Sequence, residues 1–316
     1  MTRFFAILLG VLTLGLAGQV RAEPVNTGHL VAELVAQQES IAPGGKVHLA
    51  LRQKIQKDWH TYWRNSGDAG NATEIKWTLP AGWSAGEINW PAPGRYLTQS
   101  AQFSLMNYVY EDEVFLPVEI TAPASARPGE TVTLTAAVSF LVCAEICVPE
   151  DALLTLKLPV TAQGGPADVK WGQKISDVLA TVPKPGQITG VFARKGQSLS
   201  LALTGAPIAG AAASDAYFYP FKSTVLDHTA TQSVERGPDG LTLSLTPGYD
   251  FKQGTPPTDL AGVLSVDGKA YEVTASEGAL PAGASGLGAP VAAQGASGGL
   301  GLAPACQLAP QQRPGQ

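Results

Sequence analysis

The chain has 316 residues, 45% hydrophobic, 7% aromatic and 15% charged, with 35 Gly, 24 Pro and three Cys. That length suggests two domains, the apolar share can build sizeable cores, and the Gly and Pro content implies many turns. Lys and Arg number 21 against 26 Asp and Glu, a net charge of −5, so no basic field exists to hold nucleic acid, and three cysteines cannot staple a miniature scaffold.

Residues 1–22 read as a secretory signal peptide. Arg3 gives the positive start, 4–17 the apolar stretch, and Val20-Arg21-Ala22 a small-x-small cleavage site. The apolar run is shorter than the ~20 residues a membrane span needs, and no later stretch reaches that length. Cleavage removes Arg3 and Arg21 and no acid, leaving a net charge of −7. Export brings the cysteines into an oxidising compartment, where pairing is the default.

Residues 23–165 show short alternating runs broken by Pro and Gly, which predicts an all-β domain. In 46–53, Val47, Leu49 and Leu51 share one side, as in a half-buried strand; 114–120, 131–142 and 153–160 are further strands. Residues 67–73, 80–86 and 91–94 carry turn chemistry. Helical periodicity is confined to a short segment, 169–182. Residues 163–168 resemble a linker, and 166–275 form a second β-rich lobe. Two hairpins are signed there: 232–236 with 241–246 around Gly237-Pro238-Asp239-Gly240, and 263–266 with 270–274 around Asp267-Gly268. Two β-sandwich lobes are the economical expectation. Residues 276–316, Gly/Ala/Ser-rich and then Pro/Gln-rich, are expected to form a disordered tail.

Cys143 and Cys147 carry the sharpest signal. On one continuous strand they would lie about 13 Å apart, whereas a disulfide wants Cα atoms about 5.5–6 Å apart. Pairing therefore requires a strand ending at Cys143, a turn over Ala144–Ile146, and a strand starting at Cys147. So small a ring gains little from loop closure, which suits reversible chemistry, although a structural clip across a hairpin has equal standing on spacing alone. Glu145 between the cysteines would raise a nearby thiol's pKa and so disfavours a strongly activated nucleophile.

The block Trp59-His60-Thr61-Tyr62-Trp63-Arg64-Asn65-Ser66-Gly67-Asp68-Ala69-Gly70 resembles the extracytoplasmic N-terminal region of DsbD-family thiol:disulfide interchange proteins. So do Ile88-Asn89-Trp90-Pro91-Ala92-Pro93, the run from Tyr108 to Val118, and the cysteine segment. The ScsB-like branch, linked to copper-sensitivity suppression, is similar also at Tyr217-Phe218-Tyr219-Pro220-Phe221 and from Val234 to Gly240. The resemblance implies an immunoglobulin-like first lobe in the periplasm. Its redox pair, Cys143 and Cys147, would take electrons from a membrane-embedded reductase domain and pass them to periplasmic thiol–disulfide proteins, with no cofactor. Cys147 would form the mixed disulfides and Cys143 resolve them. Phe103 and Tyr108 lie where an aromatic-bearing loop can cap the pair in such domains, core packing being the alternative. The family continues into a membrane domain and a thioredoxin-like domain. This chain instead ends in Gly/Leu-rich and polar residues, as a truncated or frame-shifted product or a stand-alone form would, with Cys306 lacking an obvious partner.

The rival class is a non-catalytic module that binds a partner or copper and carries a structural disulfide. His29, His48, His60 and His228 show no metal-ligand spacing with the cysteines, though Cys143, Cys147 and His60 could form a soft-metal site if folded together. His60 is otherwise expected to pack among Trp59, Tyr62 and Trp63. These and Trp77, Trp83 and Trp90 fit core or rim positions better than a carbohydrate platform. Asp250 and Glu235 lack a partner carboxylate, Ser66 and Ser139 sit in no nucleophile elbow, and the glycines follow no phosphate-loop pattern.

Overall fold

The computed structural model describes residues 21–291. The signal-peptide reading, except Arg21 and Ala22, therefore falls outside the described residues, as do Cys306 and the tail beyond 291. The first strands are β1 (Arg21–Ala22), β2 (Val25–Asn26), β3 (Leu30–Ala36), β4 (Lys46–Ile55), β5 (Thr61–Gly67) and β6 (Glu74–Thr78). They are followed by β7 (Ser84–Ile88), β8 (Gly94–Gln99), β9 (Ser104–Tyr110), β10 (Glu113–Thr121), β11 (Thr131–Cys143) and β12 (Cys147–Pro159). Helix α1 (Gly172–Thr181) leads into β13 (Thr189–Lys195), β14 (Ser198–Thr204), β15 (Ala216–Pro220), β16 (Ser233–Arg236) and β17 (Gly240–Leu245). A short α2 (Tyr249–Lys252) precedes β18 (Asp259–Val266) and β19 (Lys269–Glu277).

The all-β class is what the chain adopts, with an immunoglobulin-like first lobe. A sheet in the order β1-β12-β11-β6 faces one in the order β2-β3-β4-β10-β7. Their inner faces follow the strand period: Leu134, Ala136, Val138, Phe140 and Val142 of β11 and Leu154, Leu156 and Leu158 of β12 are buried, with exposed or half-buried residues between them. From β4, Val47, Leu49 and Leu51 enter the same core. A third sheet, β5-β9-β8, stands apart with three strands. Ser84 to Gly86, expected in a turn, begin β7, paired to β10.

The second lobe is one hydrogen-bonded sheet of seven strands, β15-β18-β19-β13-β14-β17-β16. Two antiparallel groups are joined by a short parallel pairing of β13 with β19. Phe218 and Leu264 on one side and Leu201 and Leu243 on the other share a core, so the sheet curls around it. Both hairpins expected in this lobe are present.

Helix α1 packs with the first lobe. Trp171, just before it, and Ile175 are buried on Val35, Ala50 and Phe115, on the outer face of the β3-β4-β10 sheet. The linker-like residues are pinned there too, with Pro166 accepting from the Glu39 N–H and Gly165 donating to Ser40. Residues 276–291, expected in a disordered tail, are placed against the second lobe. Ser276 and Glu277 finish β19, Ala284 is buried, and Arg236 donates to the carbonyl of Ala289. Small residues suit a segment lying close against another backbone.

Near the cysteine end of β12, Glu150 is buried. It accepts the Thr27 hydroxyl, the His29 N–H at 3.0 Å and His29 Nδ1 at 2.5 Å. The His29 ring stacks 3.6 Å from that of Trp59. Glu150→Ala strips three donors of their acceptor and is expected to lower stability by about 2 kcal/mol in urea denaturation. An unchanged midpoint would contradict this role.

Candidate functional site

Thirteen residue pairs of β11 and β12, from Thr131 opposite Pro159 to Cys143 opposite Cys147, form one antiparallel hairpin. Ala144, Glu145 and Ile146 make the turn, and the two facing cysteines are joined as a disulfide. The strand–turn–strand arrangement expected from their spacing is therefore the one observed. The two ends are unequal: Cys143 is 1% exposed, whereas Cys147 lies on the exposed side beside Ile146.

Cys143 is also bound on its other edge. Its N–H donates to the His60 carbonyl at 2.9 Å, and the His60 N–H donates to the Cys143 carbonyl at 2.8 Å. This bridge fixes the entry to β5 beside the disulfide. Tyr62, two residues on, shares a face with His60, and its hydroxyl lies 3.8 Å from Cys147 Sγ. Tyr62, Val109 and Cys143 form a buried cluster, with Tyr96 and Leu141 against it. The His60 ring sits between Tyr62 and Tyr96, with centroids 5.2 and 4.6 Å away. Gly70 (φ +95°) lies under the Tyr62 ring, where a Cβ would overlap the aromatic carbons.

Burial sets the charge state here. Desolvation lowers the pKa of His60 to about 4 and raises that of Tyr62 to about 12, Tyr96 adding to the latter. Tyr96 is also raised, by burial and then by Glu111, Asp58 and Glu145. All three are neutral at neutral pH. His60 Nε2 is 3.3 Å from the Tyr62 oxygen, while buried Nδ1 has no partner. A buried lone pair costs less than a buried unpaired N–H, so Nε2 carries the proton and donates to Tyr62. The Tyr62 hydroxyl is then free to point at Cys147. In the reduced pair it can donate to a Cys147 thiolate and stabilise the charged form.

The other expected site residues lie elsewhere. Tyr108 is fully buried on the opposite face of β9 from Val109, packed with Trp63 and Tyr219 rather than over the cysteines. Strand alternation, which turns neighbouring side chains to opposite faces, overrules a capping role for it. Phe103 is 53% exposed near the turn joining β8 to β9. The aromatic cover consists of Tyr62 with Tyr96. Only the His60/Tyr62 spacing of two offered a signal for this, since Tyr96 and Val109 come from strands whose pairing sequence does not reveal. Trp59 stacks on His29 instead of His60, and Trp63 is core, with Trp77, Trp83 and Trp90 half-buried against it. Among the described residues no group of three or more His, Cys, Asp or Glu side chains is placed to hold a metal ion, the Cys143–Cys147–His60 set included. No described helix is long and apolar enough to cross a membrane.

Residues 29–159 match the family model described as thiol:disulfide interchange protein DsbD, N-terminal. The crystal structure of the N-terminal periplasmic domain of ScsB from Proteus mirabilis is 20% identical, covering 81% of this chain and 97% of that chain at a TM-score of 0.58, which shows a shared fold. Spo0M, a sporulation control protein from Bacillus subtilis, aligns at 8% identity over 79% of this chain and 91% of that chain, with a TM-score of 0.20 that carries no argument. No curated protein matches the chain.

Two outcomes follow from the geometry. Tyr62→Phe removes the donor facing Cys147 and is expected to raise the thiol pKa of Cys147 by about one unit, read from the pH dependence of iodoacetamide alkylation of the reduced protein. An unshifted alkylation curve would contradict a donor role. The second concerns acid stability. Folded His60 takes its proton only near pH 4, the unfolded chain near 6.5. As pH falls through that window the unfolded state gains a proton that the folded state refuses, so stability drops by up to ~1.4 kcal/mol per pH unit. His60→Phe is expected to flatten that slope in urea midpoints measured across the window, and a slope equal to the parent's would exclude His60 as its source.

Proposed function

We propose, from the premise that residues 29–159 form a DsbD-family N-terminal domain, that the Cys143–Cys147 pair is a reversible centre for thiol–disulfide interchange in the periplasm. Electrons would enter from a membrane-embedded reductase domain and leave to periplasmic protein disulfides. The observation that carries this reading is the asymmetry of the pair. A directly opposed disulfide at a hairpin tip has one exposed cysteine, one buried cysteine and a hydroxyl donor beside the exposed sulfur.

In the proposed loading step a donor thiolate attacks Cys147 Sγ. The donor–Cys147 bond forms, the Cys143–Cys147 bond breaks, and Cys143 leaves as a thiolate that takes up a proton. A second donor thiolate then attacks the donor's own sulfur, releasing Cys147 and leaving the donor oxidised and this pair reduced by two electrons. Delivery runs the same exchange outward. The Cys147 thiolate, facing the Tyr62 hydroxyl, attacks a substrate disulfide, and Cys143 closes on Cys147 to expel the reduced substrate. Burial of Cys143 supports its resolving role, because only an intramolecular or well-seated partner reaches it.

The test uses the full mature chain. Cys143→Ala is expected to trap a mixed disulfide through Cys147 with an oxidised thioredoxin-type protein, whereas Cys147→Ala traps little. The pair's reduction potential is expected above about −300 mV, in the range of exchangeable rather than structural disulfides. A potential well below that value, with no trapped species, would make the bond a structural clip.

A further inference from the structure

Resting on that redox reading, we propose that the second lobe is a brace for the disulfide. It presses the β5-β9-β8 sheet against Cys143–Cys147 and thereby sets how readily the enclosed Cys143 sulfur separates from Cys147 when a thiol attacks, with Tyr108 and His228 as its positioning residues.

Each strand of that sheet presents one residue to the disulfide side and its neighbour to the second lobe. In β5, Tyr62 lies against the cysteines and Trp63 packs on Tyr219 and Phe221, with centroids 6.1 and 5.9 Å away. In β9, Val109 joins the Cys143 cluster, while Tyr108 meets Tyr217 and Tyr219. In β8, Tyr96 lies against the cluster, while Arg95 bonds Asp215 at 3.0 Å and sits 4.7 Å over the Tyr217 ring. Three short strands need a packed face to be stable, and much of that face is supplied by the second lobe.

The contact is also keyed by polar groups. The Ser223 carbonyl can only accept, so His228 Nε2, 2.7 Å away, carries the proton and Nδ1 is left to accept the Tyr108 hydroxyl at 2.9 Å. The Tyr217 hydroxyl lies 3.2 Å from that of Tyr108, and Asn65 Nδ2 donates to the Pro220 carbonyl at 2.7 Å. Tyr108 is 0% and His228 3% exposed, so losing either leaves a buried polar group unpaired. The Arg95–Asp215 pair, at a more exposed rim, is worth far less. Because β5, β9 and β8 are hydrogen-bonded into one sheet, loosening this keyed face also loosens the packing of Tyr62, Val109 and Tyr96 around Cys143.

The experiment measures the second-order rate at which dithiothreitol reduces the oxidised full mature chain, the dithiol closing to its cyclic disulfide as Cys143 and Cys147 become thiols. Thermal unfolding is followed in parallel. Tyr108→Phe and His228→Leu are expected to be reduced about fivefold faster than the parent, the shift that one lost hydrogen bond gives a closed–open equilibrium. His228→Gln, which again offers an acceptor and a donor, is expected to return to the parent rate, and Asp215→Asn to stay within about twofold of it. Should His228→Leu not fold, Tyr108→Phe, which keeps the ring, still decides the matter. Lower Tm values with unchanged or slower reduction overturn the brace and leave the contact merely structural. Reduction by a small dithiol needs no protein partner. Failed trapping through Cys147 with accelerated variants would therefore sink the interchange reading alone, and intact trapping with equal rates the brace alone.

Discussion

The pair of backbone hydrogen bonds between His60 and Cys143 is the constraint on which the site depends. Cys143 is the last residue of β11, where the hairpin would otherwise offer a free edge to solvent. The bridge occupies that edge and delivers β5 beside the disulfide at a fixed register. With the register set, period-two geometry does the rest: Tyr62 falls over the sulfurs and Trp63 falls on the far side. A one-residue slip would exchange them, placing an indole at Cys147 and a phenol in the inter-lobe core. The Gly70 approach to the Tyr62 ring gives the same register a second lock.

Fold stability and redox chemistry are separated within one hairpin. A disulfide closing so short a loop constrains the unfolded chain less than the ~3 kcal/mol associated with a 15-residue ring. The hairpin is held instead by its long ladder and by the buried row from Leu134 to Val142 facing Leu154, Leu156 and Leu158. The bond can open without taking the domain with it. The opposite division would hold for a long-range clip, whose reduction removes most of what holds its loop together. Glu150 and its His29 and Thr27 partners support the same end of β12 from outside the sulfur chemistry.

Much of this was legible in the chain, and the limits have physical causes. Alternation marked 46–53 and 131–142 because Val47, Leu49 and Leu51, and the row from Leu134 to Val142, face a dry core. Residues 114–120 do not alternate, β10 being buried on both faces with Phe115 under Trp171. For a Cys143–Cys147 pair, disulfide geometry requires the turn at Ala144–Ile146 whatever the rest of the chain does. The resemblance pointed to Phe103 and Tyr108 as cover, whereas Tyr62 and Tyr96 are the aromatics packed beside Cys143. Which of two adjacent aromatics faces the sulfurs is decided by the His60–Cys143 bridge, a contact between residues 83 positions apart that no local pattern encodes. The helix failed differently. Its period was visible, but its allegiance to the first lobe comes from Trp171 and Ile175 finding an apolar patch at Val35, Ala50 and Phe115. The ordering of 276–291 has a comparable origin, since small residues predict looseness until a neighbouring backbone supplies close contacts.

Electrostatics completes the asymmetry between the two sulfurs. His60 and Tyr62 are both held neutral by burial, so the only charge to develop in the proposed exchange is on sulfur itself. On Cys147 that charge meets a hydroxyl and open solvent. On Cys143 it would meet Tyr62, Val109 and Leu141 around a residue 1% exposed, an environment that disfavours an anion. A Cys143 thiolate is therefore driven either to take up a proton or to attack back on Cys147. In the proposed exchange that bias would shorten the lifetime of a mixed disulfide and push each encounter to completion or reversal. Glu145 in the turn opposes negative charge weakly from the solvent side, while exposed Ile146 beside Cys147 would offer a partner in the proposed exchange an apolar contact. In the proposed exchange, recognition and reactivity would thus fall on the outer cysteine, and the inner one would finish the reaction.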